Sequence, residues 1–222
     1  MPSETELLDR LGRIDTTSLV DADKPHAGLR VLPAALRPVR PGLRMAGRAF
    51  TVAAGGDLLG MLVALREARP GDVLVVAVGS DEHAVAGELF ATEARRRRLA
   101  GIVIDGRCRD SRTLARLDLP VFARGVAPSA FSAVADPVLQ VAVPIGDIEV
   151  RPDDLVLGDD DGIVVGSAEA IAAAIEAAEE IQRREEALRA AIEAGESLLD
   201  HVNLDEHLAA VRAGRASSLR FT

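Results

Sequence analysis

Two stretches of this chain bring together residue types that can do chemistry. Gly79-Ser80-Asp81-Glu82-His83 runs toward Gly87-Glu88-Leu89-Phe90, and further along stands Gly106-Arg107-Cys108-Arg109-Asp110. A helix beginning near Gly87 would offer N–H groups with no intrahelical acceptor and the positive end of a dipole, which suits a carboxylate or phosphate. Arg109 could grip the same anion through its planar fork. Asp110 could hold a hard cation such as Mg²⁺, which accepts one carboxylate and keeps several waters. The same two residues could instead be a solvated pair capping the next helix, because Asp is a good N-cap residue and surface ion pairs contribute little. Spacing alone leaves both readings open.

Other candidates carry less. Cys108 lies between two arginines, which favours a thiolate, but no histidine stands in an obvious partner position and a packed thiol is the better account. His26, His83, His201 and His207 show no paired metal spacing. The Arg95 to Arg98 run sits where a helix should end, and there it complements the dipole as a solvated run. Asp159-Asp160-Asp161-Gly162 lacks the first acid of a calcium loop, since Leu157 occupies that place, and reads as a turn. Neither a Walker A loop nor a dinucleotide fingerprint occurs.

The elements that must position these residues follow from apolar rhythm. Ser3-x-x-Glu6 is a capping box before Leu7, Leu8 and Leu11, and Asp15 to Asp21 makes a second short helix. Four prolines between residues 24 and 43 imply an irregular connection around a short strand near Gly28 to Val31. Strands are expected over Met45 to Ala54, Asp72 to Val78, Ala100 to Asp105 and Pro120 to Arg124. Helices are expected over Asp57 to Ala68, His83 to Arg98 and Asp110 to Leu117. Val73-Leu74-Val75-Val76 is typical of a parallel strand covered on both faces, and strand, helix, strand is a βαβ unit. In such a layer ligands bind at the carboxyl ends of the strands, so the loops after Val78 and Asp105 should open on one crevice. Later come shorter strands at Val138 to Val143, Ile148 to Val156 and Gly162 to Val165, with a hairpin turn over Gly158 to Gly162. Helices over Glu169 to Ala194 and residues 203 to 214 close the chain, and no internal repeat or separating linker is evident.

Composition narrows the function classes. In 222 residues, 26 Lys and Arg face 35 Asp and Glu, a net charge of −9, and Lys24 is the one lysine among those cations. An acidic surface disfavours nucleic acid and anionic membranes, whose capture depends on Lys and Arg. Five Phe with no Trp or Tyr also make poor platforms for base stacking. One cysteine excludes an internal disulfide and fits a reducing, cytoplasmic setting. No apolar run is long enough to span a membrane, and the opening residues do not form a signal peptide.

Several motifs in register resemble the RraA-like family, which joins regulators of ribonuclease activity to class II aldolases acting on 4-hydroxy-4-methyl-2-oxoglutarate. They are Ile14-Asp15-Thr16, Leu19-Val20-Asp21, Gly87-Glu88-Leu89, Gly101-Ile102-Val103-Ile104-Asp105-Gly106 with Arg109-Asp110, Val150 to Asp159, and Asp161 to Val165. The aldolase branch carries an acid, twenty intervening residues and Arg-Asp; here Glu88, residues 89 to 108 and Arg109-Asp110 keep that spacing. The resemblance implies a single domain over residues 1–222, of the α/β class and the swivelling β/β/α type. Its core would span about 5–180, with helical N- and C-terminal extensions, the latter over about 167–222. It implies that the amides of Gly87, Glu88, Leu89 and Phe90 bind the carboxylate of a pyruvate-like group. Arg109 would bind that group's oxygens, and Asp110 would ligate Mg²⁺ or Mn²⁺. It further implies a homotrimer or hexamer with the site near a subunit boundary and an acid donated by a neighbour. Glu88 stands where the aldolases more usually have Asp. Thr113 stands where the regulator branch has an acid.

The expected function is therefore a divalent-metal-dependent aldolase, a carbon–carbon lyase. It would release pyruvate from 4-hydroxy-4-methyl-2-oxoglutarate or a related 4-hydroxy-2-oxo acid, with oxaloacetate decarboxylation through the same enolate. Such an enolate needs either a lysine iminium or a metal. Lys24, beside Asp21, Asp23 and Pro25, has no apolar pocket to lower its pKa. Arg109 would share the developing charge and Glu88, directly or through a water, would take the 4-hydroxyl proton. The alternative is a non-catalytic regulator that binds a ribonuclease or another protein.

Overall fold

Both opening helices begin at a side chain that caps them. Ser3 accepts from the Glu6 amide ahead of α1 (Glu4–Leu11), and Asp15 accepts from the Ser18 amide ahead of α2 (Thr16–Ala22). These caps satisfy N–H groups that a first turn leaves unpaired. The computed structural model describes residues 3–23, 28–80 and 82–221, so Lys24, His26 and Asp81 lie outside the described residues. The proline-rich connection contributes two short strands, β1 (Arg30–Val31) and β2 (Arg37–Pro38).

The centre alternates as its apolar runs require. It comprises β3 (Met45–Ala53), α3 (Leu59–Glu67), β4 (Asp72–Ala77), β5 (Ala84–Ala86), α4 (Glu88–Arg96), β6 (Gly101–Cys108), α5 (Ser111–Leu114) and β7 (Val121–Val126). Strands β3, β4, β6 and β7 pair in parallel in that order. Val73 to Val76 are fully buried, as strands covered on both faces must be. The helix expected from His83 starts only at Glu88. Ala84 and Ala86 instead pair with Arg107 and Cys108, and the Ala84 amide donates to the Ser129 carbonyl. Pairing on both sides satisfies more of this backbone than the opening turn of a helix would.

The remaining strands are β8 (Val138–Leu139), β9 (Val143–Ile145), β10 (Ile148–Val150), β11 (Leu155–Gly158) and β12 (Ile163–Gly166). The single strand expected over Ile148 to Val156 is broken between β10 and β11, where Asp153 has φ +65°. There the Asp154 carboxylate takes the Arg151 amide at 2.8 Å and the Arg30 guanidinium at 2.7 Å, which holds the turn closed. The hairpin at Gly158 to Gly162 forms as expected. Asp159 in that hairpin accepts from the Thr16 amide and hydroxyl at 2.8 and 2.7 Å, tying it to α2.

The main sheet runs β1-β12-β11-β3-β4-β6-β7-β2, with β9 and β10 forming a separate hairpin. One face buries Leu74, Val76, Ile102 and Ile104 with Met61, Leu65 and Ala94 of α3 and α4. The other buries Val73, Val75, Val103 and Phe122 with Ile145 and Val150 of the hairpin. Helix α6 (Ala168–Glu193), with α1 and α2, covers Leu157 and Val164 in a third cluster. The layers are the β/β/α arrangement of the swivelling α/β type, and α3 and α4 enter their layer from the carboxyl ends of the central strands.

The chain divides into two compact units, the first reaching Ala178 and the second starting at Glu179 inside α6. The second also holds a 3₁₀ turn (Leu198–His201) and α7 (Leu204–Arg212). Its part of α6 is laced by i,i+3 and i,i+4 pairs, Glu180 with Arg183 and Arg184, and Arg189 with Glu193. Among the described residues, no helix is long and apolar enough to cross a membrane.

Candidate active site

Gly87 is the joint between β5 and α4, with an extended backbone at φ −152° and ψ −158°. Its lack of a side chain is required by what lies over it. A Cβ here would stand 2.3 Å from Asp110 Oδ2 and 2.8 Å from Arg109 Cγ. The Arg109 amide donates to the Ala86 carbonyl at 3.0 Å, which lays the loop after β6 across the start of α4. Two segments some twenty residues apart in sequence therefore meet at the one position where no Cβ intervenes.

Asp110 does not cap the helix that follows it. Its backbone is left-handed, φ +58° and ψ +36°, and its side chain makes no hydrogen bond to α5. A non-glycine residue adopts that conformation at a cost on the order of 1 kcal/mol. The side chain turns back instead, and Oδ2 accepts from the Glu88 amide at 3.1 Å and lies 3.5 Å from Arg109 Nε. Both contacts fall on Oδ2, so Oδ1 meets no protein donor among the described residues.

The first turn of α4 keeps its anion-binding character. The N–H groups of Gly87, Leu89 and Phe90 have no acceptor among the described residues, while that of Glu88 is engaged by Asp110. The terminal guanidinium nitrogens of Arg109 likewise meet no acceptor among these residues. The Glu88 carboxylate is half-buried and unpartnered in the same sense. Thr113 is exposed in α5 and gives only its amide, to the Asp110 carbonyl.

Gly87, Leu89, Phe90, Arg109 and Asp110 line one cavity of about 520 Å³, and Glu88 is not among the residues of its wall. Leu58 just ahead of α3, Leu62, Leu65 and Arg66 within it, Glu93 of α4 and Arg97 at its end line the rest. The three leucines carry no signal in the sequence beyond ordinary helix rhythm. Among the described residues of the loop after β4, none lines the cavity. His83 packs edge-on to Phe131, with ring centroids 5.1 Å apart, and its Nδ1 lies 2.7 Å from Ser129 Oγ.

Metal binding can be tested against the donors present. Among the described residues no group of three or more His, Cys, Asp or Glu side chains could hold an ion. That excludes a closed four-ligand zinc site built from those residues. One carboxylate with an oxygen to spare, beside an open cavity, does fit Mg²⁺ or Mn²⁺. Such ions are held by one or two carboxylates, substrate oxygens and water.

The other candidates resolve into structure. Cys108 is buried with its thiol 3.6 Å from the Gly125 carbonyl, and burial pushes its pKa up, with the Asp110 charge adding to the effect. Arg96 grips Glu93 at 2.6 and 2.7 Å, and Arg97 donates to the Arg66 and Ala68 carbonyls at the end of α3. Asp105 pairs with Arg124 at 2.5 Å and accepts the Gly146 amide at 2.9 Å, binding β6 to β7 and to the β9–β10 turn.

Buried Asp57 was not singled out by its sequence context. It accepts from the amides of Leu59, Val134 and Ala135 at 2.8, 2.8 and 3.2 Å. The Val134 amide foremost holds this carboxyl below its ordinary range. A residue reading only as a helix start therefore also fastens a segment remote in sequence.

The comparisons with known proteins agree with this architecture. The RraA-like family model, described as Aldolase/RraA, matches residues 16–165. A protein of Halalkalibacterium halodurans named "putative 4-hydroxy-4-methyl-2-oxoglutarate aldolase" is 35% identical over 165 residues, 73% of this chain and 77% of that one. The crystal structure of an uncharacterized protein from Pseudomonas syringae pv. tomato superimposes with a TM-score of 0.77 at 28% identity, covering 90% of this chain and 98% of that one. The RNA-processing inhibitor RraA from Thermus thermophilis gives a TM-score of 0.61 at 26% identity, covering 66% of this chain and 90% of that one.

Proposed function

The chain belongs to the RraA-like family, and on that premise we propose that it is a cytoplasmic, divalent-metal-dependent aldolase. It releases pyruvate from 4-hydroxy-4-methyl-2-oxoglutarate or a related 4-hydroxy-2-oxo acid, and decarboxylates oxaloacetate as a side activity. The observation that supports this most is the crossing at Gly87, where Arg109 and Asp110 pass over the open first turn of α4 beside one cavity.

In this reading the amides of Gly87, Leu89 and Phe90 bind the substrate carboxylate, as helix N-termini bind anions. The Glu88 amide, which Asp110 engages here, would belong to the same cradle. Arg109 orients the keto acid through its terminal nitrogens and shares the negative charge that develops on the C2 oxygen. Glu88, directly or through a water, takes the 4-hydroxyl proton. The C4 oxygen becomes a carbonyl as the C3–C4 bond breaks, the electron pair moves through C2 onto the keto oxygen as an enolate, and return of the proton from Glu88 or its water to C3 gives pyruvate. Asp110 would hold a divalent cation, which would supply Lewis acidity to the keto acid when bound. The one lysine, Lys24, has no place in this scheme. Assembly as a homotrimer or hexamer belongs to the same reading.

The test is a lactate-dehydrogenase-coupled pyruvate assay on oxaloacetate and on 4-hydroxy-4-methyl-2-oxoglutarate. Pyruvate release that EDTA abolishes and Mg²⁺ or Mn²⁺ restores is the expected result. No pyruvate from either substrate with either metal overturns the reading and favours a regulator of the kind named for the Thermus relative.

A further inference from the structure

We infer that Arg66 receives a second carboxylate of the substrate, and so sets the cavity's preference for 2-oxo acids that are anionic at both ends. The inference rests on the pyruvate-binding reading above and concerns the half of the substrate that reading leaves unassigned. A volume of about 520 Å³ falls in the range, roughly 300–1,000 Å³, that encloses drug-sized ligands, so a pyruvate group fills only part of it.

Charge distinguishes the rest of the wall. In a chain of net charge −9, this cavity sets Arg66, Arg97 and Arg109 against Glu93 and Asp110. Glu93 is already gripped by Arg96 at 2.6 and 2.7 Å, and Asp110 lies at the pyruvate end, on the Glu88 amide. The far end therefore keeps a positive excess, and a cleft of one sign draws in ligands of the other. Arg97 supplies that charge from a fixed position. One terminal nitrogen donates to the Arg66 and Ala68 carbonyls at 2.8 and 3.2 Å, and its Nε is buried with no acceptor among the described residues.

Arg66 is placed to move to a ligand. Its side chain is 73% exposed and pairs with the adjacent Glu67 at 2.9 Å. An exposed pair of this kind contributes little, so exchanging Glu67 for a substrate carboxylate costs little. Arg66 follows Leu62 by one turn of α3, and helical side chains lean toward the N-terminus. Because α3 and α4 follow parallel strands and end together at Arg97, that lean is toward Gly87. Leu62 and Leu65 then flank the aliphatic carbons that join the two acids.

The experiment is calorimetric titration of the full chain in Mg²⁺ with two pairs of equal chain length, 2-oxopentanoate against 2-oxoglutarate and 2-oxohexanoate against 2-oxoadipate, and pyruvate as reference. In at least one pair the dicarboxylate is expected to bind about tenfold more tightly, the scale of one hydrogen bond to a charged group. Arg66→Gln is expected to bring that ratio near one and to leave pyruvate binding unchanged. No preference for either dicarboxylate overturns the inference and leaves the pyruvate site standing, as does a preference that survives Arg66→Gln. Failure of pyruvate itself to bind overturns the pyruvate site, and the inference with it.

Discussion

The Asp110 carboxylate accepts the Glu88 amide at 3.1 Å, so the residue that opens one helix in sequence engages a single amide at the N-terminus of another. Charge and hydrogen bonding can be separated at this contact. Asp110→Asn keeps an oxygen for the Glu88 amide and loses the anion. Its thermal midpoint is expected within a few degrees of the parent, because surface substitutions that preserve caps shift stability by only about 0.5 kcal/mol. Metal-dependent pyruvate release is expected to be lost. Retention of that activity in Asp110→Asn removes Asp110 from the metal site.

Gly87→Ala tests the crossing from the other strand. The backbone there is extended, so alanine costs nothing in φ and ψ, and the damage comes from a Cβ 2.3 Å from Asp110 Oδ2. Arg109 and Asp110 must shift, and a displacement of about 1 Å at reacting groups can lower turnover by roughly 100-fold. Circular dichroism and melting should stay near the parent while kcat/KM for pyruvate release falls by that order. Unchanged kinetics would show that the two side chains are free to move without consequence.

Asp57 gives a pH dependence of stability. Its folded carboxyl is held below the ordinary carboxylate range by the Val134, Leu59 and Ala135 amides. A depressed folded pKa stabilises above the unfolded value, roughly 4, and that contribution is lost as pH falls through the folded value. Asp57→Asn cannot present two acceptor oxygens to three amides. The variant should be less stable than the parent at pH 7, and the urea midpoints of the two should converge below about pH 4. Midpoints that stay parallel down to acid would show that Asp57 is not a latch on the Ser132 to Ala135 segment.

How much of this could be read from sequence depends on the range of the interaction. Val73 to Val76 announce a buried strand because burial on two faces demands an unbroken apolar run. Ser3 and Asp15 announce helix starts because a cap acts within three residues. The twenty-residue spacing from Glu88 to Arg109-Asp110 was visible as a pattern, but its cause was not. Gly87 is glycine because Asp110 lies over it, and nothing near Gly87 in the chain says so. The pairing of Ala84 to Ala86 with β6, which delays α4 to Glu88, is equally nonlocal. Leu58, Leu62 and Leu65 show only helix rhythm in the sequence, and their place in a cavity wall with α4 is a nonlocal fact.

Arg109→Lys asks whether shape or charge matters at the cavity. The Arg109 amide is pinned to the Ala86 carbonyl at 3.0 Å, so lysine should keep the loop in place, and the side chain is 42% exposed and buries little that lysine could not. What changes is the planar fork, which can present two parallel donors to a carboxylate or a developing enolate oxygen, whereas an ammonium is a point charge. If Arg109 acts on the developing charge, kcat should fall by about 100-fold, the scale for removing one preorganised donor, with KM changing far less. If it only holds ground-state substrate, KM should rise with kcat preserved. Arg109→Ala should worsen whichever constant Arg109→Lys moves. Guanidine added to the assay should rescue the alanine variant only in the first case, because a free guanidinium can return the donor without restoring the tether. A lysine variant as active as the parent would remove the fork from the mechanism and leave Arg109 as a positive charge near the site.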